Sequence, residues 1–111
     1  MPGMIFVNLP VADLARSTAF YEAIGATKNA KFSDQTASCM VFSDTIFVML
    51  LTHAKFMQFS PRPIPDARKT AQALFCLSAD SREAVDAMVG RAAKNGGLDP
   101  CPKQDLGFMY G

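Results

Sequence analysis

IFVNLPVADLARSTAFYEAIG, residues 5–25, is the stretch whose reading decides the fold. Met4 to Leu9 is apolar and β-rich, and Pro10 is expected to end the strand because proline cannot donate to a ladder. Asp13 has the right chemistry for a helix N-cap, since its carboxylate can accept from an orphan backbone N–H. Leu14, Ser17, Tyr21 and Ile24 then fall on one helical face, with Phe20 beside it and Arg16 and Glu22 facing out. Gly25 supplies the left-handed stop. The reading is strand, turn, cap, amphipathic helix, glycine.

A weaker copy follows. ALFCLSAD at residues 73–80 leads into SREAVDAMVGRAAKNGG, with Ser78-Ala79-Asp80 in the place of Val11-Ala12-Asp13. A strand is expected over about Ala71 to Ser78, and Asp80 with Glu83 approximates a capping box. Ala84, Val85, Met88, Val89 and Ala92 form the helix's apolar face, and Asn95-Gly96-Gly97 ends it. Short strands are expected near Leu98 to Cys101 and from Gly107 to Tyr110. A strand–helix unit used twice implies a fold of two similar halves.

Between the copies, strands are expected at about Thr27 to Phe32, Thr36 to Phe42 and Thr45 to Leu51. Ser33-Asp34 and Ser43-Asp44 mark the turns. From His53 to Lys69 the composition shifts. Pro61, Pro63 and Pro65 exclude a regular interior strand, which makes this the connector. The first half thus reads β-α-β-β-β, and the second begins the same series.

Composition sets the outer limits. A chain of 111 residues with half of them apolar forms one domain, burying about 65% of its unfolded surface. A formal charge of +1 leaves no basic stripe for nucleic acid. The densest apolar run, Ile46 to Leu51, is too short to span a bilayer. Cys39, Cys76 and Cys101 are odd in number and widely spaced, which reads as reduced thiols of a cytoplasmic protein.

The run V-x-D-L-x-x-S-x-x-F-Y from Val11 to Tyr21, closed by Gly25, resembles the vicinal oxygen chelate superfamily of glyoxalases, bleomycin-resistance proteins and extradiol dioxygenases. Leu50-Leu51-Thr52-His53 resembles the end of the fourth strand in glyoxalases. The resemblance implies an α+β fold in which two βαβββ modules form a concave mixed sheet with helices on the outer face. Module one would cover about 1–53, the connector 54–70, and module two 71–111. All would lie within a single glyoxalase/bleomycin-resistance-like domain, with the second module incomplete. A further turn and strand would follow Tyr110, so the natural product is expected to be longer. Modules of this kind commonly pair, which implies a homodimer.

Catalytic members of the superfamily hold a divalent metal in the cup. Carried over one by one, the ligand positions on the first strand, the fourth strand and the strand before the second helix fall on Phe6, Leu50 and Ala73. None offers an N, O or S donor. The expected metal set is therefore none, and no cofactor is called for. By parity along three strands, the cup would be lined by Phe6, Asn8, Val48, Leu50, Ala73 and Phe75. Asn8 could orient a ligand or bond a neighbouring loop.

Other residues carry paired readings. His53, the single histidine, is either a ligand or base, or a residue just past a strand. Cys39 has no adjacent basic activator and reads as inert, whereas Cys76 has the opposite parity to Ala73 and Phe75 and would pack under a helix. Met40, Met49, Met57 and Met109 are core fillers or parts of an adaptable surface. Arg62, Arg68 and Lys69 are a solvated connector or a source of charge for an anionic ligand.

The expected function is metal-free binding of a small apolar or aromatic molecule, of the bleomycin-resistance type, with no nucleic acid or membrane partner. No catalytic residue is assigned. A metal-dependent lyase or isomerase of the glyoxalase type is the alternative, and it needs ligands from other positions. A dimeric interaction protein without a ligand is a third class.

Overall fold

The computed structural model describes residues 3–98 together with Asp105, Gly107, Tyr110 and Gly111. Strand β1 is Ile5–Val11, helix α1 Leu14–Ala23, β2 Thr27–Asn29, β3 Ala37–Val41 and β4 Ile46–Thr52. A short helix α2, His53–Met57, follows directly, and α3 spans Arg82–Lys94. The four strands form one mixed sheet in the order β1-β4-β3-β2. β1 runs parallel to β4, and the other pairs are antiparallel. This is the βαβββ module read from the first half.

The helix signals are realised in the backbone. Asp13 is extended and its side chain accepts from Arg16 N–H at 3.0 Å. Gly25 has φ +116°. Around it Gly25 N–H donates to Glu22 C=O at 3.2 Å and Ala26 N–H to Tyr21 C=O at 3.0 Å, which satisfies the last carbonyls of the helix. α1 is tied to β3 by a buried polar pair. Thr18 Oγ1 donates to Leu14 C=O at 2.7 Å and lies 2.8 Å from Ser38 Oγ.

The core lies between α1 and the sheet. Ala26, Met40, Val48 and Leu50 are buried there, with Val7, Leu9, Val11, Leu14, Tyr21 and Phe42 packed around them. Burial pushes the Tyr21 phenol up from its ordinary pKa.

Several expectations are corrected. β1 continues through Pro10 to Val11, with Pro10 opposite Leu51. It can do so because β1 is the edge of the sheet, where a missing N–H breaks no ladder. β2 stops at Asn29, short of Phe32, and a 3-10 turn covers Ala30–Phe32. Asn29 caps that turn by accepting from Lys31 N–H at 3.1 Å, and Ser33 Oγ donates back to Asn29 C=O at 2.7 Å. Asp34 holds the next turn, accepting from Thr36 N–H and Oγ1 at 2.7 Å each. Those bonds lower its carboxyl pKa. The cap of α3 is Ser81, not Asp80: Ser81 Oγ accepts from Ala84 N–H at 3.0 Å.

The largest correction concerns the second half. Residues 71–78 form no strand, and each of them is exposed. A strand needs a ladder partner, and this segment runs beside β1 without pairing to it. α3 forms as read but buries no residue fully, and Val89 of its expected inner face is exposed. Its anchors are polar. Arg91 Nε donates to Ala23 C=O at 3.0 Å, Arg82 pairs with Asp105, and Tyr110 Oη donates to Asp86 at 2.8 Å. Asp105 and Tyr110 form an isolated antiparallel bridge. Residues 99–101 of the strand expected near Leu98 to Cys101, and residues 108 and 109 of the one expected from Gly107 to Tyr110, Met109 among them, lie outside the described residues.

The cap at Gly25 gives a direct test. A Cβ placed there meets nothing within 4 Å, so any cost of a side chain is in the backbone conformation alone. Gly25→Ala is expected to lower unfolding free energy in urea by about 1–2 kcal/mol. Gly90→Ala, at an equally open site inside α3, is expected to raise it by roughly 0.5–1 kcal/mol. An unchanged or raised midpoint for Gly25→Ala contradicts this account of the helix stop.

Candidate functional site

The β1–β4 register fixes which side chains share a face. Phe6 stands opposite Phe47, Asn8 opposite Met49 and Pro10 opposite Leu51. β3 continues the row, with Val41, Cys39 and Ala37 opposite the same β4 residues. Alternation along a strand puts Val7, Leu9, Val48 and Leu50 on the other face, under α1. Phe6 and Asn8 therefore do not share a face with Val48 and Leu50. The six expected lining residues divide across the sheet.

Two hollows flank the free edge of β1, and residues 72–77 form the outer wall of both. The first, of about 320 Å³, lies on the Asn8 side. Asn8, Pro10, Phe56, Gln72, Ala73 and Phe75 line it, with the connector prolines Pro63 and Pro65. It brings together three of the six expected residues: Asn8, Ala73 and Phe75. Asn8 Nδ2 donates to Phe6 C=O at 3.3 Å, which holds the amide against the strand. The second hollow, of about 450 Å³, opens on the α1 side and is almost wholly apolar. Val7, Leu9, Tyr21 and Val48 form its floor and Phe75, Cys76 and Leu77 its rim. Phe75 borders both.

The remaining candidates are placed as follows. Phe6 lines neither hollow. Its ring stacks on Phe47 with centroids 4.6 Å apart and planes 10° apart, and it stays half exposed. Leu50 is completely buried in the core. His53 is exposed at the start of α2. Met40 is buried, while Met57 is exposed at the end of α2. Cys39 is buried, and burial raises its thiol pKa, which disfavours the reactive thiolate. Cys76 is exposed rather than packed under a helix, because the strand expected to turn it inward does not form.

The residues do not fit the metal that the superfamily resemblance implies. Phe6, Leu50 and Ala73 carry no donor, and Leu50 points away from the face that Phe6 occupies. Among the described residues no three of His, Cys, Asp and Glu come together in a way that could hold an ion. What the first hollow offers instead is aromatic surface, stiff proline walls and amide groups from Asn8 and Gln72. That set can hold a small flat molecule and give it a hydrogen bond.

Sequence reasoning missed Phe56, Pro63, Pro65 and Gln72 as wall residues. The signal was present: proline at every second position from 61 to 65 stiffens the connector, and a stiff connector can serve as a wall.

Residues 4–43 match the family model described as bleomycin resistance protein-like N-terminal. The matched stretch covers β1, α1, β2 and β3 of the βαβββ module. Solved structures agree on the fold. A hypothetical protein from S. aureus superposes with a TM-score of 0.80 at 23% identity, covering 99% of this chain and 82% of that one. A glyoxalase/bleomycin resistance protein/dioxygenase family enzyme from Burkholderia phytofirmans gives 0.60 at 18% identity, over 82% of this chain and 71% of the other. No functionally curated protein matches the chain significantly. Among the described residues, no helix is long and apolar enough to cross a membrane.

The thiols report on this geometry. Under native conditions iodoacetamide is expected to alkylate Cys76 at least tenfold faster than Cys39, read by peptide mapping. Cys39 should react freely only after unfolding. Comparable rates at the two sites would show that β3 is not covered as described.

Proposed function

We propose that this vicinal oxygen chelate module binds a small, flat, largely apolar molecule without a metal, in the hollow beside β1. The observation that carries the reading is the convergence of Asn8, Phe56, Ala73 and Phe75 on one cavity of about 320 Å³. Ligand sites of this size typically combine apolar walls with a few placed polar groups. The α1-side hollow is larger, but it is floored by core aliphatic residues and lacks an amide to orient a ligand. Sequestration of this type needs affinity and shape, with no acid, base or metal. It is in keeping with the bleomycin resistance protein-like match over residues 4–43.

The protein acts in the cytoplasm as a homodimer in this reading. Ile5, Phe6, Leu74 and Phe75 present exposed apolar surface along the β1 side. A partner copy covering that side would remove it from water and close the hollow. Ile5 and Phe6 also lie on a strand whose outer edge is unpaired.

The neutral naphthalene dye Prodan is a suitable probe, since the chain contains no Trp to compete in fluorescence. Wild type is expected to bind it saturably. Phe75→Ala should weaken binding about tenfold, in line with the loss of the apolar area that this exposed ring would bury against the dye. Asn8→Ala should weaken it about fivefold, the equivalent of one net hydrogen bond. Phe32→Ala, at an exposed ring in neither hollow, should change nothing. Binding that survives Phe75→Ala and Asn8→Ala in folded protein would remove this hollow as the site.

A further inference from the structure

A third hollow, of about 300 Å³, lies away from β1 between the start of α1, the loop that ends α3 and the connector. Its lining includes Arg16, Ser17, Phe20, Arg68, Asn95 and Gly96. Two arginines from distant parts of the chain border one cavity, and no carboxylate lines it. We propose that this hollow binds an oxyanion, a phosphate or carboxylate, carried on a small apolar body.

Both arginines carry unpaired charge. Among the described residues the one ion pair is Arg82 with Asp105, so neither Arg16 nor Arg68 has a carboxylate within salt-bridge reach. Arg16 stands in the first turn of α1, at the positive end of the helix, where a cation is disfavoured and an anion is welcome. Planar guanidinium groups bind phosphate and carboxylate through paired N–H donors.

The loop is shaped to bring these groups together. Gly96 has φ +102°, and a Cβ there would approach Arg16 Nη2 to 3.5 Å. At Gly97 a Cβ would come within 2.8 Å of Ala92 O and 3.1 Å of the Phe20 ring. Gly97 thus lets the loop lie against Phe20, and the positive φ of Gly96 turns it beside Arg16. Gly97 N–H is spent on Ala92 C=O at 2.8 Å, whereas Gly96 N–H has no partner among the described residues. The hollow therefore offers two guanidiniums, a hydroxyl from Ser17, a free backbone donor at Gly96 and an aromatic ring. Donors suit the oxyanion, and the Phe20 ring suits an apolar body attached to it.

The test is a titration with phenyl phosphate, followed by amide resonances at low salt. Saturable shifts are expected at Gly96 and Gly97, weakening as salt is added. Arg16→Gln and Arg68→Gln should each weaken binding at least tenfold, with Arg16→Lys and Arg68→Lys intermediate. Arg62→Gln, a connector arginine outside the hollow, should leave it unchanged. Inorganic phosphate should bind the same amides more weakly, because it lacks the ring. Benzoate in place of phenyl phosphate decides whether phosphate or carboxylate is preferred. Absence of saturation at about 10 mM ligand, well above the roughly millimolar affinity of a weak site, would overturn the proposal. So would equal losses in Arg62→Gln and Arg68→Gln, which would mean diffuse attraction. Should Arg16→Gln lose its dispersed spectrum, Arg68→Gln, on the exposed connector, decides the matter alone.

Discussion

The structure depends on the burial of both faces of β4. Leu50 and Leu51 are neighbours that point to opposite sides of the sheet, and they are 0% and 2% exposed. The strand pairs with β1 along one side and β3 along the other, so its backbone groups are also satisfied. The parallel pairing with β1 requires a crossover, and α1 opens it by packing its Thr18 and Tyr21 face over Met40, Val48 and Leu50. Every hollow beside β1 is placed by that pairing, because β1 is held to the sheet only through β4.

The same feature explains what the sequence could and could not tell. The bounds of α1 were legible, though its one buried residue, Thr18, was not read as part of the inner face. Asp13, the apolar spacing and Gly25 each act locally, and each does in the structure what its chemistry implies. The parity of β4 was not legible. Ile46 to Leu51 is apolar at every position, so no alternation says which residues face the helix. A one-residue slip exchanges Val48 and Leu50 for Phe47, Met49 and Leu51. The expected cup consequently mixed the two faces. Only the partnering of Phe6 with Phe47 decides the matter, and that is a long-range fact.

The second half was legible where its signals are local and illegible where they are not. α3 and its glycine stop form, since caps and periodicity suffice. The strand at 71–78 does not, because a strand is completed by a neighbour and this segment has none within the described chain. Its side chains still matter. Ala73 and Phe75 meet Asn8 across the edge of β1, and the prolines of the connector close the wall. The candidate site is thus built from one well-packed module and one extended segment laid beside it. That arrangement accounts for its aromatic, amide-bearing lining and for the apolar residues at the positions where the superfamily resemblance implies ligands.

Native mass spectrometry of protein purified without chelator tests this account most directly. The account predicts a dimer free of Ni, Zn, Fe and Mn that takes up one small organic molecule per chain, with uptake lost in Phe75→Ala. A metal held at one equivalent per chain, in a protein that takes up no such molecule, would contradict it.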